Sequence, residues 1–303
     1  ILAQAVSRSR VIIFHAMTLE PGEKLVYFVR HGQAQHQLLH MQQGLATEEL
    51  LRVVATTHHD SRLTSEGQAA ARTLASEFAA LSEKEQPALV AVSPLSRALS
   101  TAVLALPSTA MVSIEDLREK IEHWPSESRR PVKELRDEFP AVDFRALPEE
   151  DCLWTLGYEG PGAVVTRGRR LLNWLLSRPE DCIAVVSHGQ IMTRAIFSKT
   201  NTVLDLGGRD RRRLAQDWPN CQVRTFALRR SIHEELVHAR LLGIWGPPES
   251  HILVAKEQRR QAALNAAALD RFMKELGDDG LAMWLQKTGM PWYASRSAAR
   301  SKL

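Results

Sequence analysis

Three short apolar segments of this sequence lead directly into polar residues that suit an anion. The three polar stretches are Arg30-His31-Gly32, Ser93-Pro94-Leu95-Ser96-Arg97 and Ser187-His188-Gly189. Arginine donates forked hydrogen bonds to phosphate oxygens, and a neutral histidine can attack phosphorus. A single Arg-His-Gly triplet occurs easily by chance, but three stretches of the same character are far more specific. The combination indicates a phosphate-binding pocket, provided that the fold brings the stretches together.

The segments before these residues have the composition of buried strands. Residues 24–29, 89–92 and 183–186 are short and apolar, and residues 111–114 form a weaker fourth segment. The carboxyl ends of parallel strands lie along one edge of a sheet, which is where open α/β sheets bind ligands. We therefore expect two arginines and two histidines to meet at that edge.

Helical patterns separate the predicted strands. Residues 65–81, 95–106 and 164–176 repeat apolar side chains at helical spacing, and Thr64 is a suitable N-cap for the first of these helices. Strands that alternate with helices predict an open, mostly parallel α/β sheet covered on both faces.

The remaining segments differ from this pattern. Residues 120–160 are polar and rich in proline and acids, which predicts a long irregular insertion over one edge of the sheet. Residues 1–23 are predicted to be disordered or the end of a targeting peptide, with Met17 as the alternative start. Residues 24–245 would then form the main domain, and residues 246–303 a helical extension with a disordered tail.

Composition argues against several classes of protein. The chain has 303 residues, of which 44% are hydrophobic and 24% charged, as is usual for globular proteins. A net charge of +4 is too small for a dedicated nucleic-acid binder. The charge-free run at residues 98–114 is too short and too polar to span a bilayer. Cys152, Cys182 and Cys221 are widely spaced and odd in number, so we expect neither a disulfide framework nor a structural zinc site.

Several motifs resemble those of the histidine phosphatase superfamily, which has the phosphoglycerate-mutase-like fold. VRHGQAQHQ resembles the segment with the nucleophilic histidine, here His31, and VSPLSRALSTA the segment with a phosphate-binding arginine, here Arg97. DLREKIE resembles the segment with the proton donor, here Glu119, and VVSHGQIM the second histidine motif, with His188. DSRLTSEGQAAA is also similar to a family segment, and RRPVKELRDEFPAVDF to a fungal and plant branch. The resemblance covers roughly residues 24–230 and implies a three-layer α/β/α sandwich.

The resemblance also implies an activity, that of a phosphomonoesterase acting on a small phosphorylated metabolite. His31 would form a phosphohistidine, while Arg30, Arg97 and His188 would bind the transferred phosphoryl group. Glu119 would protonate the departing oxygen. No metal or other cofactor is implied, because two arginines supply the positive charge. The alternatives are a phosphoglycerate-type mutase and a non-catalytic phosphate-binding module.

At some positions the sequence departs from the pattern of the branch. Gln37 stands where asparagine is common, which puts its contact with phosphate or substrate in doubt. Arg129 and Arg130 are candidates for binding a second anionic group of the substrate, with exposed arginines in a loop as the alternative. His58-His59-Asp60 is not expected to bind a metal, because adjacent residues of a strand point to opposite faces.

The sequence ends in the tripeptide Ser301-Lys302-Leu303, which is an address for peroxisomal import. The preceding residues are small, with Arg296 and Arg300 among them, and should leave this end accessible. We therefore expect the import receptor as a partner and the peroxisome as the location, with the cytoplasm as the alternative.

Overall fold

The computed structural model describes most of the predicted main domain. The described residues are 18–39, 59–122, 124–154, 159–197, 204–206, 214, 218–230 and 237–247, with scattered residues between 264 and 284. Residues 1–17, the basic stretch 207–213 and the terminal tripeptide lie outside them, as does much of the predicted C-terminal helix. Leu276 and the other described residues of that helix are helical.

A mixed sheet of eight strands forms the centre of the described region. The strands are β1 (Lys24–Arg30), β2 (Leu89–Val92), β3 (Ala110–Ser113), β4 (Val142–Asp143), β5 (Cys182–Ser187), β6 (Leu204–Asp205), β7 (Val223–Arg230) and β8 (Val237–Trp245). Their order is β4-β3-β2-β5-β1-β7-β8-β6. The first five strands in this order are mutually parallel, β7 is antiparallel to both β1 and β8, and β6 is parallel to β8. The predicted mostly parallel α/β sheet is confirmed.

Helices connect the strands, and the three that the periodicity predicted are present at residues 65–79, 96–105 and 161–177. The helices are α1 (Gln35–Leu39), α2 (Ser65–Ala79), α3 (Ser96–Ala105), α4 (Val132–Glu138), α5 (Pro161–Ser177) and α6 (Gly189–Ile191), which continues as a π-helical turn, Met192–Ile196. The Thr64 hydroxyl accepts a hydrogen bond from Gly67 N at 3.0 Å, so the predicted N-cap of α2 is confirmed. Among the described helices, none has the length and apolarity that a membrane span requires.

The helices cover both faces of the sheet, which gives three layers. Tyr27 of β1 packs with α2, where the rings of Tyr27 and Phe78 meet edge to face at 5.4 Å. Its neighbour Phe28 points to the opposite face, as alternation along a strand requires, and lies in the same buried cluster as Leu172 of α5. All four side chains are buried. The sheet therefore lies between two hydrophobic cores, one on each face.

Part of the prediction for residues 120–160 is wrong. This segment is not an irregular insertion, because it contributes helix α4 and the edge strand β4, which pairs in parallel with β3. Val132, Leu135 and Phe139 follow one another at helical spacing and are buried against the sheet. The many acidic residues around them obscured this short apolar pattern.

Strands β7 and β8 had no counterpart in the prediction. β7 carries Arg224, Arg229 and Arg230, which break the apolar pattern of a buried strand. The Arg224 guanidinium lies 4.0 Å from the centre of the Trp218 ring, so a cation–π contact accommodates one of these charges inside the fold.

Candidate active site

The carboxyl ends of β1, β5 and β2 meet at one edge of the sheet. His31 N donates to Ser187 O at 2.9 Å, and Ser93 N donates to Val186 O at 3.0 Å. His188 Nε2 lies 2.8 Å from Ser93 Oγ, and the ring centres of His31 and His188 are 4.9 Å apart. The predicted convergence of the three polar stretches is confirmed.

Close backbone contacts fix the loop that carries His31. A Cβ atom on Gly67 would lie 2.2 Å from Gln33 O, and one on Gly32 would lie 2.6 Å from Gly67 O. Only glycine fits at either position, so the loop packs directly against the first turn of α2. Thr101 Oγ1 accepts from Gly32 N at 3.0 Å and holds the same loop from α3.

The hydrogen bonds of His31 determine which ring nitrogen is available for chemistry. Its Nδ1 lies 2.7 Å from Gly32 O. A carbonyl oxygen only accepts, so Nδ1 carries the proton and Nε2 of the neutral ring keeps its lone pair. Burial, and then the charges of Arg97 and Arg30, hold the pKa of His31 well below its usual value. The ring is therefore neutral at physiological pH, which is the state a nucleophile requires.

Two arginines lie at the same edge. Arg97 is 2% exposed, and its Nη1 donates to Ser126 O at 2.6 Å. Arg97 Nε is buried and has no hydrogen-bond partner among the described residues. Arg30 Nη1 donates to Trp218 O, and a Cβ on Gly189 would lie 3.3 Å from Arg30 Nε. The guanidinium of Arg30 therefore lies directly against the start of α6.

His188 is fully buried beside these charges. Burial and the charge of Arg97 are the main causes that hold the pKa of His188 well below its usual value. Its Nδ1 atom is buried and has no hydrogen-bond partner within the described part of the chain. Arg97 and His188 together thus present two buried polar atoms at one site, a situation that folded proteins rarely leave without a ligand.

Glu119 lies on the β5 side of the same site. Its carboxylate accepts hydrogen bonds from Ile191 N at 2.9 Å and Gln190 N at 3.4 Å, two residues of the helix that follows His188. The negative charge of Glu119 also raises the pKa of Arg97, against the larger effect of burial. The sheet edge therefore places a carboxyl group, two arginines and two neutral histidines around one point.

Comparison with known proteins identifies the family to which the chain belongs. The family model described as "Histidine phosphatase superfamily (branch 1)" matches residues 26–231, more than half of the chain. The chain belongs to the histidine phosphatase superfamily. Phosphoglycerate mutase-like protein 1 of Arabidopsis thaliana is 24% identical over 237 residues, which are 68% of this chain and 81% of the relative. A Schizosaccharomyces pombe protein named as a probable phosphatase is 28% identical over 178 residues, or 55% and 74% of the two chains.

The chain is also similar to solved structures, at lower identity. A mycobacterial glucosyl-3-phosphoglycerate phosphatase shares 20% identity with a TM-score of 0.46, over 75% of this chain and 100% of that one. The superfamily predicted from the motifs is confirmed, and the plant and yeast relatives are compatible with the predicted branch.

Other arginines of this superfamily member have a structural role, which is to hold the loop of Glu119. Arg118 is fully buried and binds both oxygens of Asp151, at 2.6 and 2.9 Å. It also donates to Glu127 O at 2.5 Å. Arg167 donates to Arg118 O from helix α5. These contacts tie Glu119 to the core through the residue before it.

The predicted role of Arg129 in binding a second anion is contradicted by its surroundings. Arg129 is fully buried, and its Nε donates to Glu115 Oε1 at 2.6 Å. Its two Nη atoms donate to backbone carbonyl groups, namely those of Arg130, Pro148, Glu149 and Glu150. A guanidinium has five N–H donors, and these five contacts leave none for a substrate. Arg129 is therefore structural. The alternative of an exposed arginine is equally wrong.

Arg130 is likewise engaged within the protein. Its guanidinium lies 3.2 Å from Asp60 Oδ2, 2.8 Å from Ser96 Oγ and 2.7 Å from Glu138 Oε2. Asp60 in turn accepts from Ser96 N at 2.7 Å, at the start of helix α3. Arg130 therefore stabilises the first turn of the helix that carries Arg97, and its contact with a second anionic group of the substrate stays a prediction.

Gln37 braces the loop of His31. Gln37 Oε1 accepts from Ala34 N at 2.9 Å and from Asn220 Nδ2 at 3.3 Å, while the same Nδ2 donates to His31 O at 2.8 Å. The side chain of Gln37 thus contacts Asn220, which in turn binds the backbone of His31. A direct contact of Gln37 with a substrate stays a prediction.

Three polar residues beside Glu119 were not anticipated. Glu122 pairs with Lys120 and accepts from Gln190 Nε2 at 2.7 Å. Lys120 and Glu122 are close to Glu119 in the sequence, which was the available signal for them, but their pairing depends on the path of the loop.

Among the described residues, no group of three His, Cys, Asp or Glu side chains is arranged to hold a metal ion. His58 lies outside those residues.

Proposed function

We propose that this protein is a metal-independent phosphomonoesterase that forms a phosphohistidine on His31. The observation that carries the proposal is the state of His31, a neutral imidazole whose protonated nitrogen is bound to Gly32 O. Lying next to two arginines, this ring has a nucleophilic Nε2 and a cationic surrounding for a phosphate dianion. Membership of the histidine phosphatase superfamily and the similarity to a probable phosphatase of Schizosaccharomyces pombe support this proposal.

In the first step, Nε2 of His31 bonds to phosphorus as the bond from phosphorus to the leaving oxygen breaks. The leaving oxygen takes a proton from the Glu119 carboxyl group. Arg30, Arg97 and His188 donate hydrogen bonds to the three equatorial oxygens, which satisfies Arg97 Nε and His188 Nδ1. Gly32 O stabilises the positive charge of the phosphorylated ring through its bond with Nδ1.

In the second step, water attacks phosphorus and gives a proton to the Glu119 carboxylate. The bond between phosphorus and His31 Nε2 breaks, and inorganic phosphate leaves. Glu119 is thereby protonated again, so the cycle is balanced with one ester and one water consumed.

The experiment compares His31→Ala with the parent on p-nitrophenyl phosphate and on a panel of alkyl phosphates. The variant should lose phosphate release, and labelled substrate should trap an acid-labile, base-stable phosphoenzyme in the parent alone. His238→Ala is the matched control, because this exposed histidine pairs with Asp205 far from the site edge. Turnover of the His31 variant within tenfold of the parent would refute the mechanism.

A phosphoglycerate-type mutase is the second candidate, because the plant relatives are named as mutase-like. A mutase returns the phosphoryl group to its substrate, whereas a phosphatase gives it to water. Incubation with 3-phosphoglycerate therefore separates the two, since net release of inorganic phosphate supports the phosphatase and formation of 2-phosphoglycerate the mutase.

A further inference from the structure

We propose that Glu122, Lys120 and Gln190 form a leaving-group site that accepts hydroxyl-bearing substrates and disfavours carboxylated ones. This proposal rests on the proposed phosphatase activity and adds a substrate class to it. The three residues lie where the part of the substrate beyond phosphorus must lie, because Gln190 contacts the carboxylate of Glu119 through its backbone N–H. Glu119 is the group that protonates the leaving oxygen.

The hydrogen-bond polarity of the site is set by its internal contacts. Gln190 Nε2 donates to Glu122 Oε2 at 2.7 Å, and a carboxylate only accepts, so the orientation of the amide is fixed. The other amide atom, Gln190 Oε1, is buried and has no hydrogen-bond partner in the described region. Gln190 therefore offers an acceptor next to Glu119, and the ligand group that satisfies an acceptor is a hydroxyl or an amine.

The charge of the site points the same way. Lys120 is the basic residue on this side, and its ammonium group is paired with Glu122 Oε1. Their side chains are only 8% and 15% exposed, so water screens the pair weakly. A substrate carboxylate would approach the negative Glu122 and would find the positive charge of Lys120 already neutralised. A neutral hydroxyl has no such penalty.

The other candidate cations are engaged within the protein. Arg129 and Arg130, which the sequence suggested as anchors for a second anion, donate instead to carbonyl and carboxylate groups of the protein. Glu127 is a further acidic residue of this cluster, and its side chain accepts from Glu122 N at 2.5 Å. Among Lys120, Glu122, Glu127 and Gln190, the basic side chain is that of Lys120, which is already paired with Glu122.

The test uses two substrates that share a carbon skeleton and differ in one group. Glycerol 3-phosphate has a hydroxymethyl group where 3-phosphoglycerate has a carboxylate. The parent should show a kcat/KM at least about tenfold higher for glycerol 3-phosphate, as expected for one unfavourable charge contact. Rates are divided by that of p-nitrophenyl phosphate for each variant, which removes changes in the phosphate site.

Glu122→Gln should lower the preference by about tenfold, because Lys120 loses its carboxylate partner and can attract that of the substrate. Adding Lys120→Met to this variant should remove the gain on 3-phosphoglycerate. Glu83→Gln, at an exposed residue before β2, is the matched control and should keep the ratio of the parent.

The parent ratio tests the proposal even if a variant does not fold. A ratio near one, a preference for 3-phosphoglycerate, or turnover of p-nitrophenyl phosphate alone would overturn the leaving-group site while leaving the phosphatase intact. An unchanged ratio in folded Glu122→Gln would also overturn it. Absence of His31-dependent release from any substrate would overturn both proposals, so the two failures are distinguishable.

Discussion

Arg97→Met should abolish phosphatase activity and at the same time stabilise the fold. Arg97 is 2% exposed, and among the described residues its guanidinium has one hydrogen bond, to Ser126 O. Burial lowers the pKa of Arg97, although Glu119, Asp60 and Glu127 act in the opposite direction. Because the pKa of Arg97 is lowered on balance, the fold without phosphate disfavours the charged guanidinium.

The size of the effect follows from the groups removed. A buried donor without a partner, here Arg97 Nε, costs about 1–3 kcal/mol of stability, so its removal stabilises the fold. Loss of the hydrogen bond to Ser126 O destabilises the fold and offsets part of that gain. Methionine keeps most of the side-chain volume, and replacing a buried charge by an apolar side chain often stabilises by about 1–4 kcal/mol. We expect a net gain of about 1–2 kcal/mol, or a Tm higher by about 2–8 °C. The rate should fall by at least about 10³-fold.

Thermal unfolding with and without inorganic phosphate checks the reasoning. Phosphate at about 100 times its Kd should stabilise the parent by about 2.7 kcal/mol and the variant hardly at all, because its binding site has lost a cation. Arg72→Met, at an exposed position of α2, should leave both Tm and activity close to those of the parent. A Tm that falls by several degrees in Arg97→Met would show that the guanidinium stabilises the fold, and would refute the argument.

Three further predictions concern other parts of the chain. Glu119→Gln should cost little with p-nitrophenyl phosphate, whose leaving group needs no proton, and about a hundredfold or more with an alkyl phosphate; equal losses would contradict a general acid. Asp151→Ala should lower the free energy of unfolding in urea by about 3–5 kcal/mol, because Arg118 stays buried with only the longer contact to Glu115 at 3.3 Å; a loss below about 1 kcal/mol would contradict this. Residues 292–303 fused behind a fluorescent protein should give puncta that disappear when Leu303 is deleted; diffuse fluorescence would contradict the peroxisomal prediction.

Much of the central sheet was predictable because its strands are short, apolar and interrupted by helices of clear periodicity. Strand β2 has the predicted bounds, and β1 and β5 extend the predicted segments by a residue at one or both ends. Strand β7 was not predicted, because Arg224, Arg229 and Arg230 interrupt its apolar pattern. Arg224 is buried against the ring of Trp218, a residue outside the helices and strands, and its Nη1 donates to Leu214 O at 3.1 Å. Such a partner has no local signature in the sequence.

The site was predictable to the extent that it depends on strand ends. His31, His188 and Arg97 follow strands that are adjacent in the sheet, so their convergence follows from the parallel topology alone. Glu119 follows β3 and a 3₁₀ turn, Glu115–Leu117, and its position depends on Arg118 reaching Asp151 across the loop. That contact joins residues 33 positions apart and is set by tertiary packing.

The arginines show why residue type alone could not separate structural from functional roles. Arg118, Arg129 and Arg97 are all buried. Burial lowers the pKa of Arg118 and Arg97 alike, but Asp151 and Glu115 reverse the sign for Arg118, whereas no carboxylate bonds directly to Arg97 within the described residues. The carboxylates of Asp151 and Glu115 pair with Arg118, and Glu115 pairs with Arg129, so the fold itself compensates these two charges. Such pairing is set by the three-dimensional structure, and it separates Arg129 from Arg97, two residues that the sequence suggested for binding an anion.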